Sequence, residues 1–221
     1  MRLSATHLID GTTACKWDSV IPFEAMWERL NKLIKPNWAI VLFWSEPFSS
    51  ALRMSNIKNY KYDWIWDKVI WTWFLNANKM PLVWYEKISV FYKKLPTYNP
   101  QKTKWKPFID NRDNIDWKRE VKEIYWTKPK PIKQQNNWDR HPRRIITINS
   151  RNNNPIHPTQ KPVALMEYLI KTYTHEWETV LDFTMWSWST GVWAKNTNRK
   201  FIWIELDETY FNIANQRILW N

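Results

Sequence analysis

Asp182 and Glu205 are the two residues whose types and spacing most directly suggest chemistry. Each comes at the end of a short apolar run, and their separation is close to the roughly 20 residues that divide the phosphate loop from the ribose-binding acid in a dinucleotide-type βαβ unit. Between them, Thr184–Gly191 holds small polar residues and two tryptophans, Trp186 and Trp188. With glycine at those two positions, the segment would be a loop at a helix N-terminus that lets the backbone approach a nucleotide-like ligand. The alternative is a purely structural turn in which the two acids cap strand ends.

The cysteine and the histidines do not indicate a second site. Cys15 is the one cysteine in the sequence, which excludes an internal disulfide and a multi-cysteine zinc site. It also lacks the Pro-Cys context of a cytosine-C5 nucleophile, so we expect a small buried residue. His7, His141 and His175 share no ligand spacing, and the role of His157 in its Pro- and Lys-containing segment is positional. No metal site is predicted.

Glycine and tryptophan occur in abnormal numbers. The 221 residues include 2 Gly and 19 Trp, whereas average usage would give about 15 glycines. Several tryptophans lie where turns favour glycine, such as Trp38 after a Pro-Asn pair, Trp138 in a polar cluster and Trp177 before a strand-like run. We hypothesise that about fifteen tryptophans stand in glycine places, because UGA is read as Gly in some genetic codes and as Trp in others. The alternative is a genuinely Trp-rich protein. Amphipathic or β-like surroundings mark the remaining tryptophans as native: Trp17, Trp27, Trp64 and Trp66.

Hydrophobic periodicity predicts an α/β domain. The C-terminal third alternates strand-like and helix-like segments, which is typical of right-handed βαβ crossovers and a parallel sheet. Thr179–Phe183 and Phe201–Glu205 are expected to be adjacent central strands whose carboxyl ends form the ligand crevice. The predicted helices are Phe23–Leu33, Val163–Thr174, Ser189–Asn196 and Glu208–Leu219, and the further predicted strands are Ala39–Phe43, Asp63–Trp66 and Lys87–Tyr92.

Charge and composition favour a nucleic-acid partner. The formal net charge is +12, which favours a polyanion, although a generally basic protein would show the same excess. The stretch Thr97–Pro155 loses periodicity and is rich in Asn, Lys, Arg and Pro, so we interpret it as a loop-rich insertion, with disorder as the alternative. The sequence has no apolar run of membrane-spanning length and no signal-peptide core at Met1–Asp10, so we expect a cytoplasmic protein.

Four segments together resemble the DNA amino-methyltransferases, which modify adenine N6 or cytosine N4. Val180–Gly191 resembles their S-adenosylmethionine loop, Asn154–Pro162 their cofactor-side motif before a helix, and Phe201–Tyr210 their ribose-binding strand. Ser45–Phe48 is similar to the segment that lines the methionine end of the cofactor. The catalytic half comes first and the cofactor loop last, which is the order of the permuted β-type subclass of phage and bacterial restriction-modification enzymes.

The resemblance implies a fold, a reaction and partners. The fold is α/β and Rossmann-like, with a mostly parallel sheet flanked by helices in one domain over 1–221. A catalytic-side half at 1–96 precedes a target-recognition insertion at 97–155 and a cofactor half at 156–221. The reaction is methyl transfer from S-adenosylmethionine to the N6 amine of adenine in double-stranded DNA, by a monomer or homodimer. The alternatives are N4-cytosine methylation, a non-catalytic DNA-binding remnant, and an RNA or small-molecule methyltransferase with the same fold.

The same resemblance assigns two sets of residues. For Lys161, a solvated surface charge is the alternative to a cofactor-binding role. The implied cofactor-binding residues are Ser45, Glu46, Thr159, Lys161, Asp182, Phe183, Met185, Trp186, Ser187, Trp188 and Glu205. The basic residues expected to contact DNA are foremost Lys128, Lys130, Arg140, Arg143 and Arg144.

The catalytic motif is where the sequence departs from this family. An amino-methyltransferase places Asp/Asn-Pro-Pro-Tyr, or a close variant, at a strand end, where it orients the exocyclic amine and stacks on the flipped base. The matching positions read His7, Leu8, Ile9 and Asp10, without the prolines or the aromatic residue. The strand that should precede them is reduced to Met1–Thr6, which a shifted reading frame or a misplaced start would explain. We therefore expect no intact catalytic residue and no catalytic competence in this sequence.

Overall fold

The computed structural model describes residues 21–72, 77–104, 139–150, 161–183 and 189–205, together with 208, 211, 212 and 215. The chain divides into two compact units, one formed by Met1–Asn99 with Arg143–Asn221 and the other by Pro100–Pro142. The helix predicted over Glu208–Leu219 lies mostly outside the described residues. Within the described chain, no helix combines the length and the apolarity needed to cross a membrane.

The first unit contains most of the described secondary structure. Its helices are α1 (Phe23–Leu33), α2 (Phe48–Ser55), α3 (Val163–Tyr173) and α4 (Ser189–Asn196), and its strands are β1 (Ile40–Trp44), β2 (Tyr60–Thr72), β3 (Val83–Phe91), β6 (Ile145–Thr147), β7 (Thr179–Asp182) and β8 (Lys200–Trp203). The second unit contains β4 (Thr103–Lys104) and β5 (Asp139–Arg140), which pair antiparallel. Most of the predicted 97–155 insertion lies outside the described residues, so its boundaries stay a prediction.

The described sheets are mixed, which corrects the expectation of a mostly parallel sheet. In the order β1-β3-β2-β6, β3 runs antiparallel to both β1 and β2, while β2 and β6 are parallel. β7 and β8 form a separate parallel pair. The connection between β2 and β3, residues 73–82, is shorter than the dozen or more residues that a parallel crossover needs, so these strands form an antiparallel hairpin. The α/β class itself is confirmed.

The two faces of the main sheet bury separate apolar clusters. All five residues of β1 are buried, as the continuous apolar run predicts. Val41 and Phe43 pack with Leu165 and Leu169 of α3, and Val180 of β7 joins the same cluster. On the opposite face, Leu42 and Trp44 pack with residues of α1 and α2. The carboxyl end of β1 is therefore held between helices on both sides, which fixes the position of the residues that follow it.

Candidate functional site

The carboxyl ends of β7 and β8 bring the two predicted acids to one edge. The strands pair in parallel with Asp182 opposite Trp203, and the Ile204 N–H donates a 2.9 Å hydrogen bond to the Asp182 carbonyl. Asp182 is 2% exposed and Glu205 is half-buried. The predicted adjacency of these strands is confirmed, but in the described residues they form a two-stranded sheet of their own and not the centre of a larger one. In open α/β sheets, the crevice beyond such strand ends is where ligands bind. Of the loop between β7 and α4, Phe183 packs against the α1–α2 side of the core, while Met185, Trp186, Ser187 and Trp188 lie outside the described residues.

Glu46, two residues after the end of β1, has both carboxylate oxygens occupied. Oε2 accepts hydrogen bonds from the backbone N–H of Ser50 at 3.2 Å and from its hydroxyl at 2.8 Å. Oε1 accepts from the guanidinium of Arg53 at 3.0 Å and from the ammonium of Lys87. Partial burial alone would raise the pKa of Glu46, but these donors, Lys87 first among them, lower it well below its usual value. Glu46 is thus an ionised anchor for the first turn of α2, while the Ser45 carbonyl accepts from the Ser49 N–H at 2.9 Å.

Arg53 extends this contact across the sheet. Its second guanidinium nitrogen donates to Asp63 Oδ2 at 2.8 Å, and the Ser89 hydroxyl donates to Asp63 Oδ1 at 2.7 Å. We call Glu46, Arg53, Asp63, Lys87 and Ser89 the Glu46 network. It joins the carboxyl end of β1 to α2, β2 and β3. Sequence reasoning named Glu46 alone, because its partners are polar residues on separate elements with no local spacing that relates them.

Lys161 lies on the other face of the sheet and is buried. Its Nζ is 2.5 Å from Glu86 Oε2, and Lys68 Nζ is 2.6 Å from Glu86 Oε1. Lys161 is 4% exposed and Glu86 is 7% exposed. Burial alone would raise the pKa of Glu86, but the two ammonium groups lower it to about 2. We call Lys161, Glu86 and Lys68 the Glu86 triplet. The cofactor-binding role expected for Lys161 stays a prediction, and Thr159 lies outside the described residues.

β3 carries both groups of charges on alternate residues. Glu86, Ile88 and Val90 face the cluster that contains α3, whereas Lys87 and Phe91 face α1 and α2. Successive side chains of a strand point to opposite faces, so neighbouring residues serve opposite sides. β3 therefore contacts Glu46, which follows β1, through Lys87. It contacts Lys161, which precedes α3, through Glu86.

The basic residues expected to contact DNA are described only in part. Arg143 and Arg144 are exposed in the first unit, and Arg140 belongs to β5 in the second. The Arg144 backbone carbonyl accepts from the Ile65 N–H at 2.7 Å, and its guanidinium lies 5.3 Å from the ring centre of Tyr62. These contacts fix the backbone of Arg144 beside β2 and leave the side chain at the surface. Lys128 and Lys130, and the degenerate catalytic positions His7, Leu8, Ile9 and Asp10, lie outside the described residues.

The indole N–H groups separate six of the described tryptophans into two sets. Trp27, Trp64 and Trp66, three of those expected to be native, donate to a serine hydroxyl, a tyrosine hydroxyl and a backbone carbonyl at 2.7–2.8 Å. The buried Nε1 atoms of Trp44, Trp193 and Trp203 have no hydrogen-bond partner in the described part of the chain. Since an unpaired buried donor costs about 1–3 kcal/mol, the second set lacks the polar contact that stabilises the first.

Trp177 deviates in its backbone instead. Its φ is 66° and the residue is 70% exposed. That left-handed conformation is one that glycine adopts readily and that a residue with a Cβ adopts at a cost. This geometry agrees with the hypothesis that Trp177 stands in a glycine place.

No metal centre is found in the part of the chain that the structure describes. None of its His, Cys, Asp and Glu side chains form a group of three or more that could hold an ion.

The fold and the site together define a class of protein, a Rossmann-like α/β domain with two candidate acids at the ends of adjacent parallel strands. The comparison with family models identifies the family. The model described as DNA methylase, which covers the N6 and N4 methyltransferases, matches residues 13–216. The chain belongs to this DNA methylase family.

Curated relatives match a shorter segment. The type II methyltransferase M2.DpnII of Streptococcus pneumoniae is 44% identical over 62 residues, which cover 28% of this chain and 23% of the relative. The type II methyltransferase M2.LlaDCHI of Lactococcus lactis subsp. cremoris shows the same 44% identity over 62 residues and the same coverage. The matched segment thus spans about a quarter of each relative's length.

Solved structures share the fold over nearly the whole chain. The structure of M1.HpyAVI in complex with S-adenosylmethionine aligns with this chain at a TM-score of 0.61 and 24% sequence identity. The alignment covers 98% of this chain and 86% of M1.HpyAVI. The PvuII cytosine-N4-specific DNA methyltransferase has a TM-score of 0.55 at 14% identity, covering 100% of this chain and 85% of its own. TTHA0409 from Thermus thermophilus, complexed with S-adenosylmethionine, has a TM-score of 0.54 at 18% identity, with coverages of 99% and 86%. The Rossmann-like methyltransferase fold is thereby confirmed.

Proposed function

We propose that this chain is the methyltransferase domain of a DNA amino-methyltransferase, with S-adenosylmethionine as cofactor and double-stranded DNA as substrate. The observation that carries the proposal is the parallel pairing of β7 and β8, which sets Asp182 and Glu205 at one sheet edge in a chain of the DNA methylase family. Adenine N6 is the proposed target. The N4 of cytosine is the alternative, since both chemistries occur in the family.

The residues at this edge fit such a cofactor. Glu205 follows the end of β8, where a carboxylate accepts hydrogen bonds from ribose hydroxyls. The Asp182 carbonyl accepts a hydrogen bond from the Ile204 N–H, so the ends of the two strands are held side by side at the edge where the cofactor is expected. When bound, the cofactor supplies a methyl group on a positively charged sulfur. The protein's task is to hold that group and the target amine in line.

The missing catalytic motif limits the proposal. Orientation of the exocyclic amine requires an acid or amide and a backbone carbonyl as acceptors, and the flipped base requires an aromatic surface. His7, Leu8, Ile9 and Asp10 supply neither the prolines nor the aromatic residue. We propose that the chain shows no turnover until this motif is restored. A non-catalytic DNA-binding role is the second candidate, and the absence of the catalytic motif favours it.

Phosphate contacts explain the basic charge. Arg143 and Arg144 are exposed, and neutralising phosphates releases counterions, so the logarithm of DNA affinity falls with the logarithm of salt concentration. We expect Arg143→Ala with Arg144→Ala to reduce that slope by about 2. The matched control is Lys32→Ala, which removes an exposed charge already paired with Glu28 on α1. An unchanged slope would mean that Arg143 and Arg144 do not contact DNA.

The cofactor proposal is tested by binding and transfer in a chain that carries Trp186→Gly, Trp188→Gly and a restored Asp-Pro-Pro-Tyr motif. Methyl transfer to unmethylated duplex DNA, with RNA as the comparison, is the expected result. Glu205→Ala should weaken S-adenosylmethionine binding at least about tenfold through lost charged hydrogen bonds. Glu28→Ala, an exposed acid on α1, serves as the control. Cofactor binding that is unaffected by Glu205→Ala would refute the site, and DNA binding without any cofactor binding would support the non-catalytic role.

A further inference from the structure

We propose that the Glu86 triplet is a positioning device that sets where α3 begins relative to the strand ends of the main sheet, and that Lys161 acts on the cofactor site through Glu86. The inference rests on the proposed function for its connection to S-adenosylmethionine. Lys161 is a positioning residue in this account.

Stability alone does not explain the triplet. A buried ion pair loses the hydration of both charges, and replacement by apolar side chains of similar volume is often neutral or stabilising. Lys161 Nζ has aromatic rings around it, with Phe43 and Trp66 each at 5.4 Å from ring centre to nitrogen. Both rings attract the ammonium, and they also offer a surface that an apolar side chain would cover. A charged hydrogen bond at 2.5 Å to Glu86 adds direction, since it holds one atom at one place.

The place that is held is the start of α3. Lys161 directly precedes Pro162, the N-cap of this helix, and Pro162 makes no side-chain capping hydrogen bond. The first turn has the Met166 N–H donating to the Pro162 carbonyl at 3.3 Å, which is long for such a bond. The tether from Lys161 to Glu86 therefore positions an end of the helix that its own cap leaves weakly held.

The ion pair between Lys161 and Glu86 links the start of α3 to the strands that carry the candidate site. Glu86 lies on β3, Lys68 on β2, and the Phe43 ring beneath Lys161 lies on β1 two residues before Ser45. Lys68 occupies the second oxygen of Glu86, so the carboxylate cannot rotate freely between partners. Asn154–Pro162, the segment that resembles the family's cofactor-side motif, thus ends at a residue fixed against the carboxyl end of β1.

The test separates position from stability with four variants in the chain carrying Trp186→Gly and Trp188→Gly. Lys161→Met leaves Glu86 with Lys68 alone, Glu86→Gln leaves two lysines without a counter-charge, and the double variant removes both charges. Lys171→Met is the control, because Lys171 pairs with Glu167 at the exposed surface of the same helix. The measurements are the thermal midpoint, amide hydrogen exchange of Met166–Leu169, the first amides of α3 with intrahelical acceptors, and the Kd for S-adenosylmethionine.

The single variants should lower the thermal midpoint by about 6–20 °C, accelerate exchange of these amides of α3, and weaken cofactor binding at least about tenfold. In the double variant, the midpoint should recover, because Lys68 is 14% exposed and can turn to solvent. Exchange should stay fast and binding should stay weak, because the tether is still absent. The control should change none of the three.

Recovery of binding and of exchange protection together with the midpoint would overturn the proposal, because the triplet would then be purely structural. Unchanged exchange in Lys161→Met would also overturn it. If the parent chain binds no S-adenosylmethionine, the proposed cofactor site fails, and the exchange measurements still decide whether the triplet positions α3.

Discussion

Replacing Trp177 tests whether the backbone at this position requires glycine. Trp177 precedes β7 in a turn that several hydrogen bonds determine. Its N–H donates to the Asn198 carbonyl at 2.7 Å, and the His175 N–H donates to a Glu178 carboxylate oxygen, also at 2.7 Å. Relaxing φ from 66° would break these bonds, so the strain persists with any side chain that has a Cβ.

The magnitude follows from comparing two small residues. Trp177→Ala and Trp177→Gly lose the same indole contacts, so their difference isolates the Cβ. The left-handed conformation costs a residue with a Cβ about 1–2 kcal/mol, while the greater unfolded-state freedom of glycine costs 0.5–1 kcal/mol, as an order of magnitude. The glycine variant should therefore be more stable than the alanine variant by about 0.5–1 kcal/mol. For a chain of this size, that difference is about 1–4 °C in thermal midpoint.

Calorimetric or circular-dichroism melting of the two variants measures this difference. The control is the same pair at Glu28, an exposed position inside α1, where alanine should exceed glycine by about 1 kcal/mol. The order of the two residues should thus reverse between the sites. An alanine variant at 177 that equals or exceeds the glycine variant would refute the strain, and with it the structural support for glycine at this position.

Three further outcomes are expected. Trp193→Phe should leave the free energy of unfolding in urea nearly unchanged, because removing an unpaired N–H offsets the loss of ring contacts. Trp64→Phe should lower the free energy of unfolding by about 1–2 kcal/mol, because the hydrogen bond to Tyr173 is lost. Equal losses at the two sites would contradict this reasoning. Because the pKa of Glu86 is lowered to about 2 in the folded state, its stabilisation is complete above the unfolded value near 4.3 and is lost as the pH falls towards 2. Acid titrations of unfolding should therefore be shallower for Glu86→Gln, and superimposable curves would exclude an ionised native Glu86. The double change Trp186→Gly and Trp188→Gly should raise the affinity for S-adenosylmethionine, measured by calorimetry, at least about tenfold above that of the unaltered chain. The reason is that each indole adds overpacking of about 1–3 kcal/mol. Tight binding by the unaltered chain would refute the need for glycine in the loop.

Local patterns predicted the regular elements well. The helices at Phe23–Leu33 and Ser189–Asn196 have the predicted bounds, and the strands containing Val41 and Val180 differ from the prediction by single residues. These segments bury one continuous apolar stripe or run, so propensity and burial agree. The parallel neighbours β7 and β8 followed from their alternation with helices.

Elements that depend on distant partners were not predictable in the same way. α2 was missed because its first turn is rich in serine, and Glu46 holds that turn through Ser50. β2 was predicted only over Asp63–Trp66, although it continues to Thr72 through a register irregularity and a left-handed Val69. Thr72 pairs with Val83 of β3, and the Lys68 carbonyl accepts from the Ser150 N–H at 3.1 Å, so distant residues maintain this outer part of the strand.

The register of β3 explains why the strand could be predicted and its site residues could not. Glu86 and Lys87 are adjacent, and each binds a residue of opposite charge on a different face, Lys161 on one side and Glu46 on the other. A slip of one residue would turn Glu86 to the face that carries Glu46 and Lys87 to the face that carries Lys161, so both ion pairs would be lost. Hydrophobic periodicity alone does not distinguish these registers at the polar end of the strand. The two ion networks do, so the same contacts that hold the candidate site in place also select the pairing of the sheet that carries it.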